Sequence, residues 1–187
     1  SLAISDTVLC TSLSVSEATC QGDNTFGQLG DGTKHHANAP ITLRPGGLHA
    51  PVVGSRHACA IGSDQRTWCW GNNDRGQLGL PSYDDRVVPT YLEGTPRVST
   101  LTAGREHTCF ISESGEVACW GSNRDGQLGD SGVPDQPAPT DVLDQATQIS
   151  GGARFTCAVR NSGARCWGDN SWGQLGLGDT ADRLTPT

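Results

Sequence analysis

The sequence predicts an all-β fold of the propeller class, about four blades of one ring. Three observations carry that prediction. The tetrapeptide Gly-Gln-Leu-Gly recurs at 27–30, 76–79, 126–129 and 173–176, at spacings of 49, 50 and 47 residues. A fixed period of that size marks units that bury their apolar faces only against their neighbours. Eight cysteines fall into four pairs, one per repeat. The composition, with 25 Gly, 10 Pro and no Met, suits short strands joined by many turns.

The third repeat shows the elements in order. Val98 to Ala103 alternates polar and apolar residues as a first strand, and Gly104-Arg105-Glu106-His107 is a turn. Thr108 to Ser112 makes a second strand, Glu113-Ser114-Gly115 a tight hairpin, and Glu116 to Trp120 a third strand. Gly121 to Gly126 then turns into Gln127-Leu128-Gly129, and a variable loop leads to Pro139. The second copy (Gly54 to Gly71) and the fourth (Gly152 to Gly168) follow the same plan. The first is degenerate: Val8 stands where His57 and His107 stand, and Gln21 replaces the Trp before Gly22. Pro40, Pro89, Pro139 and Pro186 are taken to open the first strand of successive units, which gives repeats of 1–39, 40–88, 89–138 and 139–187 within a single segment, 1–187. In that phase copy one lacks its first strand. A fragment of a longer propeller, an open arc that dimerises and a four-bladed ring stay open as readings, the first two preferred. A chain without Met, even at position 1, reads as processed or excised.

The cysteine pairs are Cys10/Cys20, Cys59/Cys69, Cys109/Cys119 and Cys157/Cys166, separated by ten, ten, ten and nine residues. Zinc sites bring cysteines two to four residues apart, which does not occur here. A separation of nine or ten suits positions facing each other across a hairpin, within disulfide reach. Four disulfides are therefore expected, and with them an oxidising compartment: secreted, periplasmic or cell-surface. Unpaired buried thiols are the alternative.

The pattern Gly-x-x-His-Thr-Cys, Cys-Trp-Gly-x-Asn and Gly-Gln-Leu-Gly resembles the regulator of chromosome condensation repeat family, over essentially the whole chain. The resemblance implies a propeller with blades of about fifty residues, usually seven of them. It also implies action by binding: some members exchange nucleotide on a small GTPase, one group senses ultraviolet light in plants, and some secreted bacterial ones inhibit β-lactamases. The cysteine pairs resemble those of bacterial extracellular members.

A formal charge of −7 with a single Lys, Lys34, excludes the dense basic surface that nucleic-acid binding demands. No stretch approaches a transmembrane span, so no membrane insertion is expected. Repeat comparison also disposes of several enzymatic motifs. Gly129-Asp130-Ser131-Gly132 resembles a serine-protease nucleophile motif, but Gly30-Asp31-Gly32-Thr33 and Gly79-Leu80-Pro81-Ser82 hold the same slot. His57 and His107 are one repeat position and read as structural hydrogen bonders. His35-His36 is a poor metal chelate, and Asp84, Asp85 and Asp130 do not make a calcium loop. Trp70, Trp120 and Trp167, with Leu29, Leu78, Leu128 and Leu175, recur in register and read as core. The glycines flanking each Leu are expected at positive φ.

Variation between copies supplies the candidate binding residues. Each Asn-x-x-Gly turn has two free positions, and Phe26, Arg75, Asp125 and Trp172 occupy the second. Equivalent loops gather on one face of a propeller, and aromatic and Arg side chains anchor interfaces. Arg56, Arg105 and Arg154 lie in the Gly-x-x-His turns, expected on the opposite face, and Trp68 is an aromatic without a counterpart. The expected function is an extracytoplasmic, non-catalytic protein-binding module, inhibitor-like or part of a larger surface protein, without catalytic residues, cofactor or metal. A carbohydrate-binding propeller and a structural or adhesin spacer are the alternatives.

Overall fold

The computed structural model describes residues 1–14, 17–131, 135–160 and 163–187. Gly132 of the protease-like motif lies outside them. Among the described residues there is no helix, and fifteen strands form four antiparallel sheets. The first sheet runs β1 (Leu2–Ile4), β2 (Val8–Ser14), β3 (Glu17–Gly22), β4 (Ala37–Thr42). The second runs β5 (Leu48–Val53), β6 (His57–Gly62), β7 (Thr67–Gly71), β8 (Arg86–Tyr91), and the third β9 (Val98–Ala103), β10 (His107–Ser112), β11 (Val117–Ser122), β12 (Asp135–Leu143). The fourth has β13 (Ala146–Gly151), β14 (Phe155–Arg160) and β15 (Gly163–Gly168). Along the outer edge of β15, Arg183 pairs with Gly168 and Thr187 exchanges two backbone hydrogen bonds with Cys166. The first strands β1, β5, β9 and β13 lie side by side, and each sheet packs on the next. The last sheet does not close onto the first, so the four blades form a partial ring.

The hairpin spacing of the cysteines has the expected consequence. Cys10 faces Cys20 directly, as do Cys59 and Cys69, Cys109 and Cys119, and Cys157 and Cys166. All four pairs are disulfide-bonded, with Cα atoms 4.1 Å apart, the close approach of a non-hydrogen-bonded antiparallel pair. Four such bridges are the mark of a chain that matures in an oxidising environment.

The phase of the repeat differs from expectation. Pro40, Pro89 and Pro139 lie on β4, β8 and β12, the fourth and outermost strand of a sheet, not on the first strand of the next. An outermost strand leaves one row of N–H groups unpaired, so it accommodates a residue that has none. Copy one consequently has its first strand, the short β1.

Three core clusters fill three seams. The first joins Val8, Leu29, Leu43, Ala58 and Trp70, the second Ile61, Leu78, Leu101, Phe110 and Trp120, the third Ile111, Leu128, Ala158 and Trp167. The three tryptophans are fully buried, as their common register predicts. Each indole N–H crosses its seam to the Gln carbonyl of the preceding Gly-Gln-Leu-Gly: Trp70 to Gln28, Trp120 to Gln77 and Trp167 to Gln127, all at 2.9 Å. The large apolar ring and its one donor are thus satisfied together. The glycine closing each tetrapeptide makes room. A Cβ on Gly79, at φ +74, would lie 2.7 Å from Leu92 and 3.0 Å from Trp120 Nε1.

Candidate functional site

The Asn-x-x-Gly-Gln-Leu-Gly turn is built by two side chains that hold its backbone. The Oδ1 atoms of Asn24, Asn73, Asn123 and Asn170 accept the N–H of Leu29, Leu78, Leu128 and Leu175 at 2.9–3.0 Å. The Oε1 atoms of Gln28, Gln77, Gln127 and Gln174 accept the N–H of Phe26, Arg75, Asp125 and Trp172 at 2.8–2.9 Å. The second free position is therefore fixed in the same orientation four times.

Three of those four side chains reach across a seam. The Arg56 guanidinium lies 4.8 Å from the centre of the Phe26 ring, a cation–π contact. Arg75 pairs with Asp135 at 3.5 Å, and Asp125 with Arg154 at 3.9 Å. Trp172, at the open end, is 91% exposed. Arg56 and Arg154 are thus on the same face as the turns, not the opposite one. The reason is the hairpin register. His57 pairs with Gly71 and Phe155 with Gly168, so the turn entering the second strand and the turn leaving the third emerge at one end of the sheet. The carbonyls of Thr7, Arg56, Glu106 and Arg154 accept the N–H of Asp23, Asn72, Ser122 and Asp169, which defines one slot in four sheets. Gly71 permits that approach: at φ +100, a Cβ there would sit 2.6 Å from the Arg56 carbonyl oxygen.

Arg105 stands one position earlier, in the slot of Asp6, Ser55 and Ala153, where these turns surround a cavity of about 400 Å³ beside the first strands. The Ser55 N–H and hydroxyl both donate to the Arg105 carbonyl, and the Arg105 N–H donates to that of Ala153. The exposed Arg105 side chain also borders a cleft of about 240 Å³ between the third and fourth sheets, with Glu106, Arg124, Asp125 and Arg154. Neither Arg105 nor Arg124 forms an ion pair among the described residues. Burial raises the Asp125 carboxyl above the usual range, helped by Asp169 and Asp182 and opposed by Arg154 and Arg124. Trp68 stands apart. It is half-buried on β7, its ring 5.6 Å from that of Tyr91, against the first-seam core.

The acidic and imidazole groups set aside in the sequence have structural work. Asp85 Oδ1 accepts the Asn73 N–H at 3.0 Å and the Asn72 amide at 3.1 Å. Asp135 and Asp182 accept the corresponding N–H of Asn123 and Asn170, and His36 Nδ1 takes that place for Asn24. Among the described residues no cluster of three or more His, Cys, Asp or Glu could hold a metal ion.

A relay that sequence reading missed runs through the second and third seams. Thr108 donates its hydroxyl to the Gln77 carbonyl at 2.9 Å, and His57 Nε2 lies 2.8 Å from that hydroxyl. The hydroxyl has one proton, already given, so His57 is the Nε2–H tautomer and donates. Thr156, Gln127 and His107 repeat the arrangement. Burial holds His57 at about 3, with the charge of His107 adding to the effect, and burial holds His107 at about 4, so both rings are neutral. The signal lay one copy apart. Val8 of the first sheet shares a core with Ala58 of the second, which stands in the Thr slot.

Profiles of the regulator of chromosome condensation (RCC1) repeat match residues 64–111, 114–159 and 166–187, and in a second form 98–127 and 146–174. The human probable E3 ubiquitin-protein ligase HERC4 is 35% identical over 82 residues, 42% of this chain and 8% of that protein. The Arabidopsis thaliana ultraviolet-B receptor UVR8 is 31% identical over 86 residues, 42% of this chain and 19% of that protein. The chain thus spans a small part of the length of these relatives. Among solved structures, human WBSCR16 superposes with a TM-score of 0.89 at 22% identity, over 100% of this chain and 52% of that one. Prp20p of Saccharomyces cerevisiae gives 0.88 at 20% identity, over 100% and 49%. Repeat profiles over more than half of the chain, on blades that superpose throughout on known propellers, make it a member of the regulator of chromosome condensation repeat family.

Proposed function

We infer that residues 1–187 form part of an extracytoplasmic propeller that binds a protein, without catalysis, through its turn face. One observation carries the reading. On a scaffold whose turns are built identically four times, the face where copies differ exposes Arg105 and Arg124 at a cleft, without ion-pair partners among the described residues. Exposed Arg beside a polar cleft is the kind of group that anchors protein interfaces. Phe26, Arg75, Asp125, Arg56 and Arg154 shape that face, and Trp172 flanks it. Trp68 is a separate contact of the same module. A protein-binding role is in keeping with yeast Prp20, which has been solved bound to Kap60 and whose binding to Gsp1p and histones has been described. The four disulfides support a secreted, periplasmic or cell-surface location, and an inhibitor-like role suits a rigid module of this kind.

A carbohydrate-binding reading rests on Trp172, whose exposed ring offers a stacking platform. Pull-down from the extracellular fraction with the oxidised chain is expected to capture a protein, and Arg105→Glu with Arg124→Glu to lose it at unchanged melting temperature. A glycan array that responds to the chain and falls silent with Trp172→Ala, with no protein captured, would replace this reading by the second.

A further inference from the structure

Each turn glutamine uses its Oε1 to hold the N–H two residues back, which fixes the side-chain amide and leaves the two donors of Nε2 for a further partner. That partner stands just after Gly22, Gly71, Gly121 and Gly168. In the first turn it is Asp23, whose carboxylate accepts from Gln28 Nε2 at 2.8 Å. In the second it is Asn72, whose Oδ1 accepts from Gln77 Nε2 at 2.7 Å, with Asp74 adding a longer contact at 3.4 Å. In the fourth it is Asp169, whose carboxyl is held below its usual range by hydrogen bonds from Ser171, helped by the Gln174 side chain.

The third turn breaks the pattern twice. Ser122 stands in the slot of Asp23, Asn72 and Asp169, and Arg124, which has donors only, in the slot of Asp74. The backbone carbonyl of Gln127 accepts from Thr156 and Trp167, and its Oε1 from the Asp125 N–H. Its Nε2 has no acceptor among the described residues, although Gln127 is only 3% exposed. A buried amide ordinarily has one. This Nε2 is not sealed from solvent, so it opens on the cleft of about 240 Å³ that Gln127 and Ser122 line together. The same cleft sets Arg105, Arg124 and Arg154 against two carboxylates, Glu106 and Asp125. Asp125 lies toward Arg154 at 3.9 Å, and Arg105 and Arg124 form no ion pair among the described residues.

We propose that the cleft between the third and fourth sheets binds a carboxylate, that of an Asp or Glu side chain of the partner, in the place that Asp23 and Asp169 fill from within the chain. It rests on the protein-binding reading above and names the group recognised. The amide alone would accept a neutral partner, as Gln77 accepts Asn72. Where the second turn has the anionic Asp74, however, the third has the cationic Arg124, so the missing acceptor is an anion. Gln127 Nε2 donates to one oxygen, and the guanidinium groups of Arg105 and Arg124 supply charge-assisted donors to the carboxylate.

The side-chain amide signals of the oxidised chain, followed by nuclear magnetic resonance, read the site directly. Titration with N-acetylglutamate methylamide at neutral pH is expected to shift the Gln127 amide saturably and to leave those of Gln28 and Gln77 in place. The uncharged glutamine analogue is expected to bind several-fold more weakly. Ser122→Asn supplies the acceptor of the second turn without changing charge, and Ser122→Asp supplies that of the first; both are expected to abolish the titration at an unlowered melting temperature. An unmoved Gln127 amide, an equal response to the glutamine analogue or to inorganic phosphate, or a titration undiminished in both variants overturns the proposal. Capture of a protein that is lost with Arg105→Glu and Arg124→Glu but kept in both Ser122 variants overturns it too, and leaves the protein-binding reading standing. Titration as expected by a chain that captures no protein removes that reading instead, and with it the partner side chain as the source, leaving the pocket to a free carboxylic acid.

Discussion

His57, His107 and Phe155 hold one position in three sheets, and what each does depends on the residue opposite in the next sheet. His57→Val leaves the Thr108 hydroxyl without its donor, and Thr108→Ala leaves the buried His57 Nε2–H without an acceptor. Each single change is expected to cost about 1–3 kcal/mol. The pair together recreates the Val8–Ala58 combination and is expected to cost less than the sum, which a double-mutant cycle in urea measures. The same rings set a pH dependence. In the unfolded chain they titrate near the ordinary 6.5, in the folded chain at about 3 and about 4. Below about pH 6.5 the unfolded chain binds protons that the folded chain does not, so stability is complete above that pH and declines as pH falls toward the folded values. Each ring adds a slope of up to about 1.4 kcal/mol per pH unit. Melting curves from pH 7 to 4 should fall less steeply for the His57→Val, Thr108→Ala chain, and an unchanged slope would remove His57 from the account.

At the scale of the element, each tetrapeptide serves two sheets: its Leu fills a core and its last glycine admits the neighbouring indole. Gly79→Ala meets both positive φ and the Trp120 ring, whereas Gly176→Ala meets positive φ alone. The first is expected to lower the melting temperature by clearly more than the second, whose cost is about 1–2 kcal/mol. Replacing Cys109 and Cys119 by Ala opens a ten-residue loop and is expected to cost roughly 3 kcal/mol, read from denaturant midpoints. Much of this level was legible in the sequence. Cysteines ten apart around a tight hairpin imply opposed register, and a Trp repeated in register implies core. The proline phase was not legible, because a proline marks any unpaired edge and does not say whether it opens or closes a sheet. Nor was the common face of the two turn sets, which depends on which ends of adjacent strands coincide. The relay escaped for a related reason: comparing copies position by position hides pairs that lie in different copies.

For the whole molecule, three locked seams and four disulfides make a rigid partial ring, and much of the variation between copies is displayed on its turns. The arginines at the cleft between the third and fourth sheets belong to different turns that a common scaffold brings together. Rigidity of this kind keeps the ordering cost of binding low. Hydrogen–deuterium exchange of the oxidised chain, with and without its captured protein, tests the turn face most directly. Slowed exchange is expected at 105–106, 124–126 and 153–154, with the opposite-end hairpins at 63–66 and 113–116 unchanged. Protection confined to those hairpins would contradict the assignment of the binding face.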